Sequence, residues 1–206
     1  MTTTTNRTDL LPIAVIDVDG VLYDYVANLA LCASARLGRP LSQFPPALVW
    51  DFYKEQWGMT TAEFLDLVNA SVTHHGFLAN GDPYDFALEG FQLLRDNDIQ
   101  VHIATHIGED GDPDGHRAAR RQWLETTGFV FDDLTFTADK ASVAASYLQS
   151  GHPVFALEDN VDNYRALRDC GAQAYLLDQA WNRHEASAPR VPNVLAFAEV
   201  VCTARG

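Results

Sequence analysis

The sequence predicts an α/β protein, a parallel sheet between two helical layers, interrupted by a helical insertion. Three observations carry this expectation. Short apolar, β-branched runs alternate with stretches of helical period, the pattern of βαβ units. The first four of these runs are each followed closely by polar or charged side chains. The segment 24–80 carries helix signals and no strand signal.

The 206 residues suit one domain with an insertion, long enough to bury a core without disulfides. The first run, Pro12-Ile13-Ala14-Val15-Ile16, ends in Asp17-Val18-Asp19-Gly20, which reads as a buried strand giving way to a loop. A helical period then runs over about 23–37. After it come a Pro-marked loop (Arg39-Pro40, Phe44-Pro45-Pro46) and an aromatic stretch, Trp50-Asp51-Phe52-Tyr53. Thr60-Thr61-Ala62-Glu63 reads as a capping box opening a helix that reaches about His74. Such an insertion directly after the first strand would cover the carboxyl edge of the sheet. The expected division is a core of 1–23 and 81–206 and a cap of 24–80.

Further strands are expected over 99–104, 134–137, 153–157 and 172–177. Asp82-Pro83 and Asp112-Pro113 each place an N-cap before a proline at the first helical position. Gly171 follows the helix holding Tyr164, Leu167 and Arg168 as a stop.

Composition removes whole classes of function. Hydrophobic residues at 47%, spread along the chain, exclude a disordered protein. Lys plus Arg is 14 against 28 Asp plus Glu, a net charge of −14 that disfavours duplex nucleic acid and anionic membrane. A phosphorylated substrate must then be captured locally, by a metal or a few aimed donors. Three cysteines, Cys32, Cys170 and Cys202, read as buried thiols of a reducing compartment, without zinc spacing. Met1 to Thr8 is polar and no apolar run approaches about 18 residues, so a cytoplasmic protein is expected.

Ligand sites of open α/β sheets lie outside the carboxyl ends of the strands. Those ends supply Asp17 and Asp19, then Thr105, then Asp139-Lys140, then Glu158-Asp159. Two carboxylate clusters converging on one crevice would repel each other unless a cation sat between them, and hard oxygen ligands select Mg²⁺. With a carboxylate nucleophile, a second acid, a hydroxyl donor and a lysine, the set suits phosphoryl transfer. An EF-hand loop starting at Asp17 fails, because Val21, Leu22 and Asn28 would occupy its fifth, sixth and twelfth positions. A solvated turn also fits poorly, since two acids directly after an apolar strand are costly without partners. Thr105, Lys140 and Glu158-Asp159 are each ordinary alone; their order along successive strand ends gives them weight. A phospho-receiver domain would need its accepting Asp after the third strand and has no such insertion.

These residues resemble the four motifs of haloacid dehalogenase (HAD)-like phosphatases: Asp17-Val18-Asp19-Gly20-Val21, Ile103-Ala104-Thr105, Lys140, and Leu157-Glu158-Asp159-Asn160. The resemblance implies a HAD-like Rossmannoid α/β/α core with a small helical (C1-type) cap. A narrower similarity, to cytosolic-type 5′(3′)-deoxyribonucleotidases, rests on Asp19-Gly20-Val21-Leu22-Tyr23-Asp24-Tyr25, Gly76-Phe77-Leu78, Trp123-Leu124-Glu125, 131–137 and 176–182. The chain departs from that pattern at Ala180, Trp181 and His106. The resemblance implies Asp17 as nucleophile and Asp19 as general acid and base. It implies Thr105 and Lys140 on the phosphoryl oxygens, and Mg²⁺ on Asp17, the Asp19 carbonyl, Asp159 and Glu158. The substrate implied is a small phosphomonoester, a deoxyribonucleoside monophosphate, touched by Gly20, Tyr25, Phe52 and His106. A polynucleotide 3′-phosphatase or an enzyme of another phosphorylated metabolite is the alternative, and a homodimer stays open.

Two groups of residues have plainer readings beside these. Trp50, Phe52, Tyr53 and Trp57 could stack a nucleobase or simply fill the insertion's core. Arg117, Arg120 and Arg121, behind Glu109, Asp110, Asp112 and Asp114, read as a solvated helix face, with a nucleic-acid contact as the sharper alternative. His74-His75 reads as a helix end.

Overall fold

The computed structural model describes residues 10–108 and 112–204. Six strands form one parallel sheet: β1 (Ile13–Ile16), β2 (Gln100–Thr105), β3 (Asp133–Phe136), β4 (Val154–Glu158), β5 (Gln173–Leu177) and β6 (Arg190–Val191). Their order is β3-β2-β1-β4-β5-β6, so chain direction across the sheet reverses between β1 and β4. That reversal opens a crevice at the carboxyl ends of the central strands.

The two faces of β1 explain the layers. Ala14 and Ile16 join one core cluster, with Val101, Phe155 and Phe197. Ile13 and Val15 face the other, with Ala156, Tyr164 and Leu167. A strand buried on both faces needs the continuous apolar run seen in the sequence.

Between β1 and β2 lie α1 (Tyr25–Leu37), α2 (Phe52–Glu55) and α3 (Thr61–His75), followed by α4 (Ala87–Asp96). Asp24 caps α1 by accepting from Ala27 N at 3.0 Å. Thr60 and Glu63 form the reciprocal capping box of α3, and Gly76 at φ 65° ends it after His74 and His75. After β2 come α5 (Pro113–Thr127), α6 (Lys140–Gln149) and α7 (Val161–Asp169). Asp112 accepts from Gly115 N at 2.9 Å with Pro113 behind it. The last helix, α8 (Val194–Ala204), packs on α4; neither α8 nor the two-residue β6 has a counterpart among the sequence expectations.

The Asp82-Pro83 start is corrected. Pro83 bridges Tyr23, Tyr84 N donates to Leu22 O at 2.8 Å, and the helix begins only at Ala87. Backbone pairing with the loop after β1 holds this segment extended and overrides the local helix signal. The three cysteines are free and half-buried rather than fully buried.

Candidate active site

Register brings the acids together. Ile16 of β1 pairs Leu157 of β4, and Asp17 N donates to Leu157 O at 3.1 Å. The residues that follow, Asp17 on one strand and Glu158-Asp159 on the other, are therefore neighbours across the switch point. Carboxylate oxygens of Asp17, Glu158 and Asp159 all lie within 4.8 Å of one another, and all three residues are buried. Thr105 ends β2 on the other side of β1, and its buried hydroxyl has no hydrogen-bond partner among the described residues.

Lys140 opens α6 behind its N-cap, Asp139, which accepts from Ser142 N at 3.0 Å. Its buried ammonium lies 2.7 Å from Asp17 Oδ2 and also donates to Glu158 Oε1. Here the position at a helix N-terminus, unfavourable for a cation, is outweighed by two carboxylates. Burial would lower the Lys140 pKa, but Asp17 and Glu158 hold it above its ordinary value.

The acids show the opposite strain. Burial raises the Glu158 carboxyl to about 7, with the charge of Asp17 adding to the rise and Lys140 opposing it. Asp159 is pushed well up by burial and by Asp17 and Glu158, although Trp181 Nε1 donates to its Oδ2 at 3.1 Å. Three clustered carboxylates, only two of them paired with the lysine, leave negative charge that a hard divalent cation would neutralise, and the donors are all oxygens. The residues therefore fit Mg²⁺.

Asp19 stands apart from that trio. Its Oδ1 accepts from Arg120 Nη2, a guanidinium that is fully buried. Burial raises the Asp19 carboxyl to about 6 against the lowering pull of Arg120, with Asp17 adding to the rise. This corrects the reading of Arg120 as part of a solvated face. The buried face of α5 is His116, Arg120, Trp123 and Leu124, a helical spacing in which Arg120 takes an interior position. That spacing was legible; the charge of the residue obscured it. Glu109 and Asp110, expected ahead of this helix, lie outside the described residues.

A cavity of about 510 Å³ opens over these groups. Asp17, Asp19, Lys140 and Asp159 line its floor, and Gly20, Tyr25, Phe52 and His106 also border it. Thr105 and Glu158 lie behind that lining, each 1% exposed. The insertion contributes Trp50, Tyr53, Phe64 and Val68. Trp57, by contrast, is buried against Phe44 and Phe52 and donates to Pro45 O at 3.0 Å, so it belongs to the interior of the insertion. His116, Asn163 and Trp181 line the cavity without having been singled out as site residues. Gln179 Nε2 donates to Gly20 O at 2.8 Å and Asn182 Nδ2 to Asp159 O at 2.9 Å, bracing the floor from the segment after β5.

No protein-family model matches the chain. A protein of Chlorobaculum tepidum named “Putative 5′(3′)-deoxyribonucleotidase” is 26% identical over 176 residues, covering 82% of this chain and 80% of its own. Among solved structures, a haloacid dehalogenase-like hydrolase of Streptococcus pneumoniae superposes with a TM-score of 0.58 at 15% identity, covering 94% of this chain and 98% of its own. CbbY of Rhodobacter sphaeroides, solved with phosphate, superposes at 0.60 and 17% identity, covering 91% and 96%.

Proposed function

We propose that this chain, whose fold is that of the haloacid dehalogenase-like hydrolases, is a Mg²⁺-dependent phosphomonoester hydrolase acting on deoxyribonucleoside monophosphates. The observation that carries the reading is the meeting of Asp17, Lys140, Glu158 and Asp159 under one cavity, with the unpartnered Thr105 hydroxyl beside β1. A buried hydroxyl without a partner is an available donor, and phosphoryl oxygens are suitable acceptors for it.

Asp17 attacks phosphorus while the ester oxygen leaves with a proton from Asp19, giving an aspartyl-phosphate and an alcohol. Asp19 then takes a proton from water as that water attacks phosphorus, releasing phosphate and restoring Asp17. Thr105 and Lys140 stabilise charge on the transferring oxygens. Asp17, Asp159 and Glu158, with the Asp19 carbonyl, would hold Mg²⁺, which supplies charge neutralisation to an acidic site and its anionic substrate. The Asp19 carboxylate, tied to Arg120, stays free of that ligand set.

The nucleotide part of the reading rests on the cavity's aromatic wall and the similarity to the Chlorobaculum tepidum protein. Tyr53 and Phe64 stack at 4.2 Å, and Tyr25 meets Phe77 edge-on at 5.0 Å, so the wall is pre-ordered for a planar base. Arg120, being buried, is not available to a polynucleotide backbone, which weighs against a 3′-phosphatase of nucleic acid.

A substrate panel tests this: deoxyribonucleoside 5′- and 3′-monophosphates, ribonucleotides, sugar phosphates and a 3′-phosphorylated oligonucleotide, each with Mg²⁺ and with EDTA. Phosphate release from the deoxyribonucleotides, abolished by EDTA and restored by Mg²⁺, is expected. Preference for a sugar phosphate would remove the nucleotide assignment. Full turnover by Asp17→Asn would remove the nucleophile.

A further inference from the structure

Arg120 is an unusual interior residue. Its side chain is fully buried, and its Nε and Nη1 have no hydrogen-bond partner among the described residues. Its Cζ lies 4.2 Å from the centroid of the Tyr23 ring and 5.3 Å from that of Trp123. The only carboxylate paired with it among the described residues is Asp19. A buried charge with one counter-ion is costly to move, because leaving that partner means facing the interior alone. The aromatic rings add attraction that depends on the guanidinium staying where it is. Arg120 is thus a fixed post.

Asp19 is held by that post through one oxygen only. Its Oδ1 is taken, while Oδ2 accepts no hydrogen bond from the described residues, and the side chain is 24% exposed in a residue lining the cavity. A carboxylate pinned at one oxygen has a defined plane for the other, which is what proton delivery to one ester oxygen requires. A structural ion pair alone would not need to sit beneath the cavity floor.

We propose that Arg120 is a positioning residue that orients the Asp19 carboxylate toward the leaving-group oxygen of the substrate. The inference rests on the phosphomonoesterase reading above and assigns it a further part. Its consequence is selective. An alkoxide leaving group needs a proton in the transition state, whereas p-nitrophenolate departs as a stable anion. Loss of the post should therefore harm the first reaction far more than the second.

The experiment compares wild type, Arg120→Met and Arg120→Lys with Mg²⁺, on dTMP and on p-nitrophenyl phosphate. For Arg120→Met, kcat/KM, which the later attack of water does not enter, should fall about 100-fold or more on dTMP and less than about tenfold on p-nitrophenyl phosphate. KM should not rise more than about threefold, since ground-state binding is not the interaction removed. Arg120→Lys, which keeps the charge, should recover part of the dTMP rate. In an Asp19→Asn background, Arg120→Met should cost no further kcat, because its effect passes through Asp19. If Arg120→Met does not fold, Arg120→Lys carries the comparison, with the dTMP rate falling more than the p-nitrophenyl phosphate rate. Equal losses of kcat/KM on both esters, a loss confined to a rise in KM, or multiplicative losses in the Asp19→Asn background would overturn the positioning role while leaving the phosphatase reading intact. A wild-type protein that hydrolyses neither ester overturns both. One that hydrolyses only p-nitrophenyl phosphate overturns the positioning role and the nucleotide assignment together.

Discussion

Gly20 and Asp159 approach so closely that a Cβ on residue 20 would lie 2.2 Å from Asp159 Oδ2. Gly20 also has φ 77°, a backbone region that L side chains rarely adopt. Two constraints therefore meet at one position: the turn after β1 needs glycine, and the acid just after β4 needs the room that glycine leaves.

Gly20→Ala should lose at least about 1 kcal/mol of stability from the left-handed backbone alone. Displacement of Asp159 should also weaken Mg²⁺ binding. Urea denaturation and Mg²⁺ titration, run on the same protein, separate the two effects. Unchanged Mg²⁺ affinity would show that Asp159 can move aside without cost.

Lys140→Met should leave Asp17 and Glu158 buried without their shared cation. Breaking such a pair destabilises by about 3–5 kcal/mol. Added Mg²⁺ should restore part of the loss, since a cation that binds only the folded state shifts the equilibrium toward it. Thermal melts in EDTA and in Mg²⁺ give the comparison. A variant as stable as wild type in EDTA would contradict the role given to the lysine.

Trp181→Phe removes the indole donor to Asp159 Oδ2 while keeping a ring in place. Hydrogen bonds to a ligating group typically change metal affinity by about 10–100-fold. A roughly tenfold rise in the Mg²⁺ concentration giving half-maximal activity is expected, with little change in the rate at saturation.

His102 should make stability pH-dependent. It sits on β2 with Tyr147 Oη 2.8 Å from Nδ1 and Thr135 Oγ1 2.8 Å from Nε2. Burial lowers its pKa below the usual 6.5, and Asp133, 3.8 Å away, offsets that only in part. The unfolded chain therefore binds this proton more readily than the folded one. The contribution is fully present above pH 6.5 and is lost as pH falls below it. His102→Gln should show a smaller fall in melting temperature than wild type between pH 7.5 and pH 5.5. Parallel pH profiles would sink the assignment.

Much of this arrangement is local and was therefore legible. Short apolar runs marked β1 to β5, most clearly β1 and β4, because a strand buried on both faces has no polar side to show. The Thr60–Glu63 box and the Asp112-Pro113 start mark helix beginnings through contacts three residues apart. Polar residues at the ends of such strands pointed to Asp17, Thr105, Glu158 and Asp159, which the sheet order brings to one crevice.

Contacts distant along the chain were not legible in that way. Arg120 and Asp19 are 101 positions apart, and nothing in either neighbourhood says that they pair. Asp82-Pro83 carries a sound helix-start signal that loses to backbone pairing with the Leu22–Tyr23 turn. Trp57 and Tyr53 look alike in sequence, yet one fills the insertion's interior and the other lines the cavity. The sequence by itself determined which acids stand at the strand ends, since alternation and burial act over a few residues. Only the tertiary structure decided which partner each charge meets, because a buried charge is settled by whatever the fold brings within a few ångströms of it.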